Sequence, residues 1–238
     1  MKISQHIYDL STEELQVYKD KGYLVIDGLF SPEECDLINQ TCRKYADEKF
    51  SAIMNLDREE EVLRRVMKAP RIVSVLETMQ GAEVVGLMSQ VLFKEAETQY
   101  APQAWNPHQD NAYPQSEGHY LTINLALADM DKENGCLYMF PESHKEGLYP
   151  CEETVSYREA AGANPGNTVA AHILQRFKAV DLPIKKGGML FMNGDLIHGS
   201  YPNVSKRSRP LYSISYITKG AEFIPGKNAN RTAIELHT

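Results

Sequence analysis

The 238-residue sequence lacks several features that mark specialised classes of protein. It contains no apolar run close to the roughly 20 residues that cross a membrane; the stretch from Val84 to Met88 is typical of its longest. The first residues, Met1 to His6, contain no apolar segment like that of a secretory signal. Gly, at 15, and Pro, at 12, are too few for a collagen-like or low-complexity chain. We therefore expect a globular protein with no membrane partner.

Cysteine is scarce as well and has no metal-binding spacing. The four cysteines, Cys35, Cys42, Cys136 and Cys151, form no CxxC pair and no zinc-ribbon pattern. Free buried thiols are the simplest interpretation, and thiols stay reduced in the cytoplasm. We therefore expect a cytoplasmic protein.

Basic residues are fewer than acidic ones in this sequence. The chain has 25 Lys and Arg against 32 Asp and Glu, a formal net charge of −7. Nucleic-acid binding depends on clustered Lys and Arg, so this balance argues against a nucleic-acid partner. A small anionic substrate stays compatible, because its site needs only one or two local cations. No pattern indicates an oligomeric state.

The spacing of apolar residues changes at about residue 83, from helical to strand-like. Before it, Ser11–Glu14 resembles a capping box, and Ser31–Glu34 has an N-cap, a Pro and two acids typical of a helix start. After it, short β-rich runs alternate with turn residues. We place strands at 84–93, 104–110, 120–127, 136–140, 180–184, 188–192, 197–201 and 210–217. Roughly eight such strands predict a jelly roll or barrel, so the fold class is mainly β with flanking α-helices.

No linker or repeat divides the chain, so we expect a single domain over residues 1–238. A helical N-terminal part, 1–82, would pack on a β-core formed by 83–217. Residues 142–179 have no clean period. Because an unstructured connection of that length is uncommon in a compact domain, we expect a lid-like insertion that sets specificity together with residues 50–60.

The segment richest in chemistry is Trp105–Asp110. On a strand, residues i and i+2 project from one face, so His108 and Asp110 would present an imidazole and a carboxylate to a common point. The pair is weak evidence by itself, because seven histidines give roughly one HxD or HxE by chance, and His144–Glu146 is a second such pair. His198, on a later strand, offers a third ligand. Two His and one carboxylate on one face of an octahedron suit non-haem Fe(II).

The alternation of side chains along two strands adds polar candidates for the site. Thr122, Asn124 and Ala126 share one face of a strand, and this face should look into the barrel. Ser200 lies two residues after His198 and faces the same way.

Several motifs, in this order, resemble the phytanoyl-CoA dioxygenase (PhyH-like) family. They are Gly22–Ile26, Ser31–Cys35, His108-Gln109-Asp110, Glu133–Leu137, Pro141–Lys145, Gly194-Asp195, His198-Gly199-Ser200, Pro202-Asn203 and Arg209. The resemblance extends over roughly residues 12–217. It implies a double-stranded β-helix, or cupin-like jelly roll, that uses Fe(II), 2-oxoglutarate and O₂.

The resemblance also implies the principal site residues. The metal ligands would be His108, Asp110 and His198. The side carboxylate of 2-oxoglutarate would be held by Arg209, eleven residues after the distal His, and by Ser200. The planar fork of an Arg guanidinium suits a carboxylate better than a Lys point charge does.

Further candidates line the inward strands. Thr122 and Gln90 are expected to contact the cosubstrate. Asn124 stands where family members often carry a large aromatic residue, which indicates a more polar substrate pocket. Trp105 and Asn111 are the other candidates for that pocket.

The sequence therefore predicts an Fe(II)/2-oxoglutarate-dependent dioxygenase that hydroxylates or oxidatively demethylates a small-molecule metabolite and releases succinate and CO₂. Two alternatives stay open: a zinc-dependent hydrolase with the same three ligands, and a non-catalytic β-barrel binding protein. Arg209 and Ser200 argue against the hydrolase, which does not need them. The complete triad argues against the binding protein. No basic surface suits a coenzyme A handle, so a free small molecule is expected.

Overall fold

The computed structural model contains two main β-sheets and a third, two-stranded sheet, with helices outside the largest one. It describes residues 3–46, 52–98, 100–117, 119–154, 166–226 and 229–237. The helices are α1 (Thr12–Lys21), α2 (Pro32–Arg43), α3 (Glu61–Met67), α4 (Pro70–Gln80) and the short α5 (Ala171–Leu174). The strands are β1 (Tyr23–Ile26), β2 (Ala52–Met54), β3 (Val84–Leu92), β4 (Trp105–His108), β5 (Tyr120–Ala126), β6 (Leu137–Met139), β7 (Cys151–Thr154), β8 (Gly166–Val169), β9 (Val180–Leu182), β10 (Met189–Asn193), β11 (His198–Ser200) and β12 (Leu211–Thr218).

Local sequence signals determine where the first helices begin. The Ser11 hydroxyl accepts from the Glu14 backbone N–H at 3.2 Å, and the Glu14 carboxylate accepts from the Ser11 N–H at 2.9 Å. Ser31 and Glu34 form the same capping box at α2. Gly22 ends α1 with φ 83°, a left-handed conformation that glycine adopts without strain. Within the described part of the chain, no helix is long and apolar enough to cross a membrane.

The sheets enclose an apolar interior. The larger sheet is antiparallel, in the order β1-β10-β5-β12-β3-β2, and the smaller has the order β4-β11-β6-β9. Leu137 and Met139 of the smaller sheet share a buried cluster with Leu190, Met192 and Leu211 of the larger sheet. The two sheets therefore face one another, and the predicted jelly-roll core is confirmed.

The two faces of the larger sheet have different partners, as its central strand β5 shows. Leu121, Ile123 and Leu125 point outward into a core shared with apolar residues of α2, α3 and α4. Thr122 and Asn124 point inward and are also buried. This alternation leaves the polar side chains of β5 inside the barrel, where a site can use them.

The N-terminal part contributes more than helices. β1 pairs with β10 at one edge of the larger sheet, and β2 pairs with β3 at the other. The N-terminal part, 1–82, therefore supplies a strand at each edge of the larger sheet in addition to its helices. β2 is only three residues long, which is too short for an alternation signal, and its pairing depends on a neighbour distant in sequence.

The insertion at 142–179 has structure of its own where it is described. β7 and β8 form a hairpin, and Val169 and Ile173 pack with Phe140 and Ile197 in one apolar cluster. The middle of the insertion, 155–165, lies outside the described residues. Eleven of the 38 residues of the expected lid fall on that stretch, and residues 50 and 51 of the expected specificity region also lie outside the described residues.

Candidate active site

His108, Asp110 and His198 come together at one end of the smaller sheet. Their nearest ligand atoms all lie within 4.8 Å of one another. The Asp110 Oδ1 atom lies 3.5 Å from His108 Nε2 and 3.8 Å from His198 Nε2, and the imidazole centroids are 4.4 Å apart. Three nitrogen and oxygen donors converging on one point have the composition of a two-histidine, one-carboxylate metal site.

Strand pairing explains the position of the histidines. β11 runs antiparallel to β4, and His198 is the direct partner of His108 in that ladder. Each Nδ1 atom is held by a backbone carbonyl: Asn106 O lies 2.7 Å from His108 Nδ1, and Leu196 O lies 3.1 Å from His198 Nδ1. These contacts favour a proton on Nδ1 and leave both Nε2 lone pairs free for a metal.

Asp110 is not on the same strand as His108, so the alternation of side chains along a strand does not explain its position. β4 ends at His108, and Asp110 begins a 3₁₀ turn, so the expected strand to residue 110 is too long. The turn is fixed by the Asn111 N–H, which donates to Gly194 O at 2.9 Å. The Thr122 hydroxyl donates to Asp110 Oδ2 at 2.7 Å and leaves Oδ1 facing the imidazoles. Thr122 therefore orients a triad member.

The pKa values of Asp110 and His198 are both shifted in the direction that favours metal binding. Burial disfavours the Asp110 carboxylate, but His198 and His108 outweigh it and hold the pKa of Asp110 below its usual range. Burial lowers the pKa of His198 to about 4, and the neighbouring His108 acts in the same direction. A carboxylate beside a neutral His198 is the protonation state that binds a metal ion.

Arg209 lies inside the barrel just before β12 with its donors unsatisfied. Its side chain is 1% exposed, and its Nε and Nη1 atoms have no hydrogen-bond partner. No described carboxylate forms an ion pair with it. Burial lowers its pKa to about 10, so the guanidinium stays charged at neutral pH. A buried charge without a partner is costly, so this site is suited to an incoming anion.

Lys94 is a second buried basic side chain beside Arg209, and the sequence analysis missed it. It is 2% exposed. Its ammonium donates to the Ser200 hydroxyl at 2.8 Å and also to the Tyr201 carbonyl. Burial and the charge of Arg209 lower the pKa of Lys94 to about 6. The sequence did contain a signal for Lys94. It lies four residues after Gln90, and side chains an even number of residues apart on a strand point to the same face, here the inward one.

The remaining cosubstrate candidate lies in a polar row across the larger sheet. Ser213 of β12 pairs with Gln90 of β3 on one side and with Asn124 of β5 on the other. Asn124 and Ser213 are buried, and Gln90 is partly exposed. The row provides hydrogen-bonding groups to the barrel interior. It lies close to Thr122, because Thr122 pairs with Ser215 and Ser215 is two residues after Ser213 on β12.

The two other substrate-pocket candidates have different environments. Trp105 stays beside the triad, with its ring centroid 6.2 Å from that of His108. Asn111 is buried, and its amide accepts from Ser116 N at 2.8 Å and donates to Asp195 Oδ1 at 2.7 Å and to the Ser116 carbonyl. These bonds shape the turn after Asp110, and a role of Asn111 in substrate binding stays a prediction.

Comparisons with known proteins agree with this geometry. The phytanoyl-CoA dioxygenase (PhyH) family model matches residues 18–211. Phytanoyl-CoA dioxygenase domain-containing protein 1 of Danio rerio is 25% identical over 86% of this chain and 89% of its own length. Peroxisomal phytanoyl-CoA dioxygenase of Bos taurus is 24% identical over 95% of this chain and 74% of its own.

Solved structures share the fold. The epimerase SnoN, in complex with Fe³⁺, α-ketoglutarate and nogalamycin RO, has a TM-score of 0.75 at 21% identity, covering 90% of this chain and 85% of its own. EctD from S. alaskensis, with 2-oxoglutarate and 5-hydroxyectoine, has a TM-score of 0.69 at 18% identity, covering 90% and 80%. On the family match, this chain belongs to the phytanoyl-CoA dioxygenase (PhyH) family of Fe(II)- and 2-oxoglutarate-dependent oxygenases.

Proposed function

We propose that this protein oxidises a C–H bond of a free small molecule, by hydroxylation or oxidative demethylation, with conversion of 2-oxoglutarate and O₂ to succinate and CO₂. One observation carries the proposal. A convergent His108, Asp110 and His198 triad shares the barrel with Arg209, a buried guanidinium that has no partner of its own. A metal site next to an unfilled anion site is what a chelating keto acid with a second carboxylate requires.

The donor set fits an iron ion. In our proposal His108 Nε2, His198 Nε2 and Asp110 Oδ1 hold Fe(II), because these atoms converge and their other polar atoms are engaged by backbone carbonyls or by Thr122. Two nitrogen donors and one carboxylate leave open positions on a six-coordinate ion. Bound iron and 2-oxoglutarate supply the oxidising chemistry, which the side chains do not provide.

The far carboxylate of 2-oxoglutarate fits Arg209 and Lys94. Arg209 supplies two donor atoms without partners, Nε and Nη1, and Lys94 adds a basic amine, held in place by Ser200, that an incoming carboxylate would favour in its charged form. A fixed guanidinium fork orients the carboxylate as well as attracting it. The carboxylate in turn removes the cost of a buried guanidinium without a partner and favours the protonated form of Lys94.

The barrel interior contributes by excluding water. The apolar cluster around Leu137, Met139 and Leu190 is fully or almost fully buried and lies between the two sheets. A dry interior strengthens the Arg209–carboxylate interaction and protects a reactive centre from side reactions.

The zinc-dependent hydrolase is the second candidate, and the buried cations argue against it. A hydrolase needs a metal-bound water but has no use for an anion site formed by Arg209 and Lys94. The reaction outcome is a separate question, because the related fold is found in the epimerase SnoN and the carbocyclase SnoK. We propose hydroxylation or oxidative demethylation rather than halogenation, because Asp110 fills the coordination position that a halide would need.

The test starts with anaerobic protein, Fe(II) and 2-oxoglutarate. We expect a weak visible charge-transfer band and, after O₂ is admitted with a metabolite panel, substrate-dependent succinate. His198→Ala should abolish both. The matched control is His144→Ala, because the His144 Nε2 atom lies 3.1 Å from the Lys19 carbonyl and away from the triad. A band retained in His198→Ala, or turnover that needs Zn²⁺ and no 2-oxoglutarate, would contradict the proposal.

A further inference from the structure

The C-terminal tail, 219–226 with 229–237, folds back against the end of the barrel next to the triad. The Ile224 N–H donates to Pro114 O at 2.7 Å, four residues after Asp110. The Asn55 side chain donates to Ala229 O at 2.9 Å. Ile234 pairs with Gly86 of β3 through two backbone hydrogen bonds. The tail is thereby attached both to the loop that carries a triad member and to the larger sheet.

Apolar residues of the tail complete a cluster at this end of the barrel. Phe223 and Ala229 pack against buried residues that include Tyr120 of β5, Met88 of β3 and Ile217 of β12. Tyr120 lies two residues before Thr122, so its side chain shares the inward face. The cluster therefore adjoins the triad from the side opposite Arg209.

The tail brings another buried arginine, Arg231, to this cluster. Arg231 is 9% exposed. Its Nη1 donates only to the Ile224 and Pro225 carbonyls, each at 3.3 Å, and its Nε has no hydrogen-bond partner. No carboxylate in the described ranges forms an ion pair with it. The Arg231 side chain hydrogen-bonds the phenol of Tyr120, and the Asp110 charge raises the pKa of the same phenol. Tyr120 therefore lies between the Arg231 guanidinium and the carboxylate of the triad.

β12 gives the order of these groups along the barrel. Arg209 precedes the strand, Ser215 pairs with the Asp110-bound Thr122, and Ile217 pairs with Tyr120. Along β12 the partner of Thr122, the residue that holds Asp110, therefore lies between Arg209 and the partner of Tyr120. Arg209 and the Tyr120 cluster thus lie on opposite sides of the level of Thr122 along this strand.

We propose that Arg231 binds a carboxylate of the primary substrate, which makes the substrate class a small organic acid with an apolar body. The inference rests on the proposed function, which assigns the other buried guanidinium to 2-oxoglutarate. The free Nε of Arg231 provides the donor, and Tyr120, Met88 and Phe223 provide apolar contacts beside it. A substrate anchored there by its carboxylate lies across the open side of the triad.

Trp105 allows a binding test, because it is the single Trp and lies beside His108. Anaerobic protein loaded with Fe(II) and 2-oxoglutarate is titrated with hexanoate, phenylacetate and N-acetylphenylalanine, each against its primary amide, while Trp fluorescence is followed. At least one acid should bind about 10-fold more tightly than its amide. Arg231→Gln should lower the binding affinity for that acid about 30-fold and leave the affinity for its amide nearly unchanged. Arg231→Lys should recover part of the loss.

The matched control is Arg58→Gln, since Arg58 is more exposed and donates to the carbonyl of Asn230 in the same tail. It should leave the preference for the acid intact. Equal binding of every acid and its amide to wild-type protein, or equal loss in Arg58→Gln and Arg231→Gln, would overturn the inference. A 2-oxoglutarate titration of the wild type separates failure of this inference from failure of the proposed function. If 2-oxoglutarate binds but no acid is preferred over its amide, only the assignment of Arg231 is wrong. If 2-oxoglutarate does not bind, the proposed function is wrong as well.

Discussion

Lys94 and Arg209 face each other across the extended ends of β3 and β12. The Lys94 N–H donates to Arg209 O at 3.2 Å, and the Arg209 N–H donates to Lys94 O at 3.3 Å. Both side chains are buried, and no described carboxylate lies close enough to form an ion pair with either. The buried guanidinium of Arg209 has no counter-charge and helps to hold the pKa of Lys94 at about 6, so an anion beside the pair would stabilise the charge of Arg209 and favour protonation of Lys94. This pair is therefore the feature that most directly links the fold to a dicarboxylate cosubstrate.

Replacing Arg209 should remove most of the affinity for 2-oxoglutarate. Loss of one partner of a buried charge pair costs about 2–5 kcal/mol, or roughly 30- to several-thousand-fold in affinity. We expect that loss in Arg209→Ala, with Fe(II) binding nearly intact, and partial recovery in Arg209→Lys. A 2-oxoglutarate titration of the visible band measures both.

Arg207→Ala is the matched control for Arg209→Ala. Arg207 lies on the surface and pairs with Asp131 at 2.7 Å, so its loss should change the 2-oxoglutarate affinity by less than about threefold. Sensitivity of Arg207 together with tolerance at Arg209 would show that the anion site has been assigned to the wrong arginine.

The buried ammonium of Lys94 should make the stability of the cosubstrate-free protein depend on pH. Burial lowers its pKa to about 6, whereas the unfolded chain has about 10.4. Between these values the unfolded chain binds more protons, so the free energy of unfolding rises with pH, by up to about 1.4 kcal/mol per pH unit from this group.

Lys94→Met removes that contribution. Its Tm should rise less than that of the wild type between about pH 6.5 and about pH 8.5. The exposed Lys145→Met should keep the wild-type slope. Thermal unfolding of the three proteins without 2-oxoglutarate measures the difference, and identical slopes in all three would show that Lys94 is not buried as an uncompensated base.

Thr122→Val should weaken metal binding without removing a ligand. The Thr122 hydroxyl holds Asp110 Oδ2 at 2.7 Å, and loss of a group that orients a metal ligand commonly costs about 10- to 100-fold in metal affinity. Thr122→Ser keeps the hydroxyl and should restore most of the affinity. Competition with a chelator measures all three proteins, and wild-type affinity in Thr122→Val would mean that the turn alone orients Asp110.

Gln109→Ala should destabilise the fold beside the triad. The Gln109 amide donates to Gly147 O at 2.8 Å and to Asp195 O at 2.6 Å, and it accepts from Tyr149 N at 2.8 Å. At about 1 kcal/mol for each hydrogen bond, the loss approaches about 3 kcal/mol. Urea unfolding measures it, with the exposed Gln16→Ala as a control that should change little. A loss below about 1 kcal/mol would show that water replaces the amide.

Several parts of this protein could be predicted from sequence because they depend on neighbours close in the chain. The capping boxes at Ser11 and Ser31 and the alternation in β5 need only a few residues to be recognised. The same locality explains the errors. Asp110 was placed on a strand that ends two residues earlier, and β2 is too short to show a period.

The sequence by itself determined the jelly-roll class, the family and the identity of the residues proposed to hold the metal. It did not determine which polar side chains remain free, since that depends on partners distant in the chain. Asn111 is used up by Ser116 and Asp195. Lys94 and Arg231 are buried without a carboxylate among the described residues only because strand pairing and the returning tail enclose them. Burial and hydrogen-bond satisfaction are properties of the assembled sheets, so tertiary structure decided them.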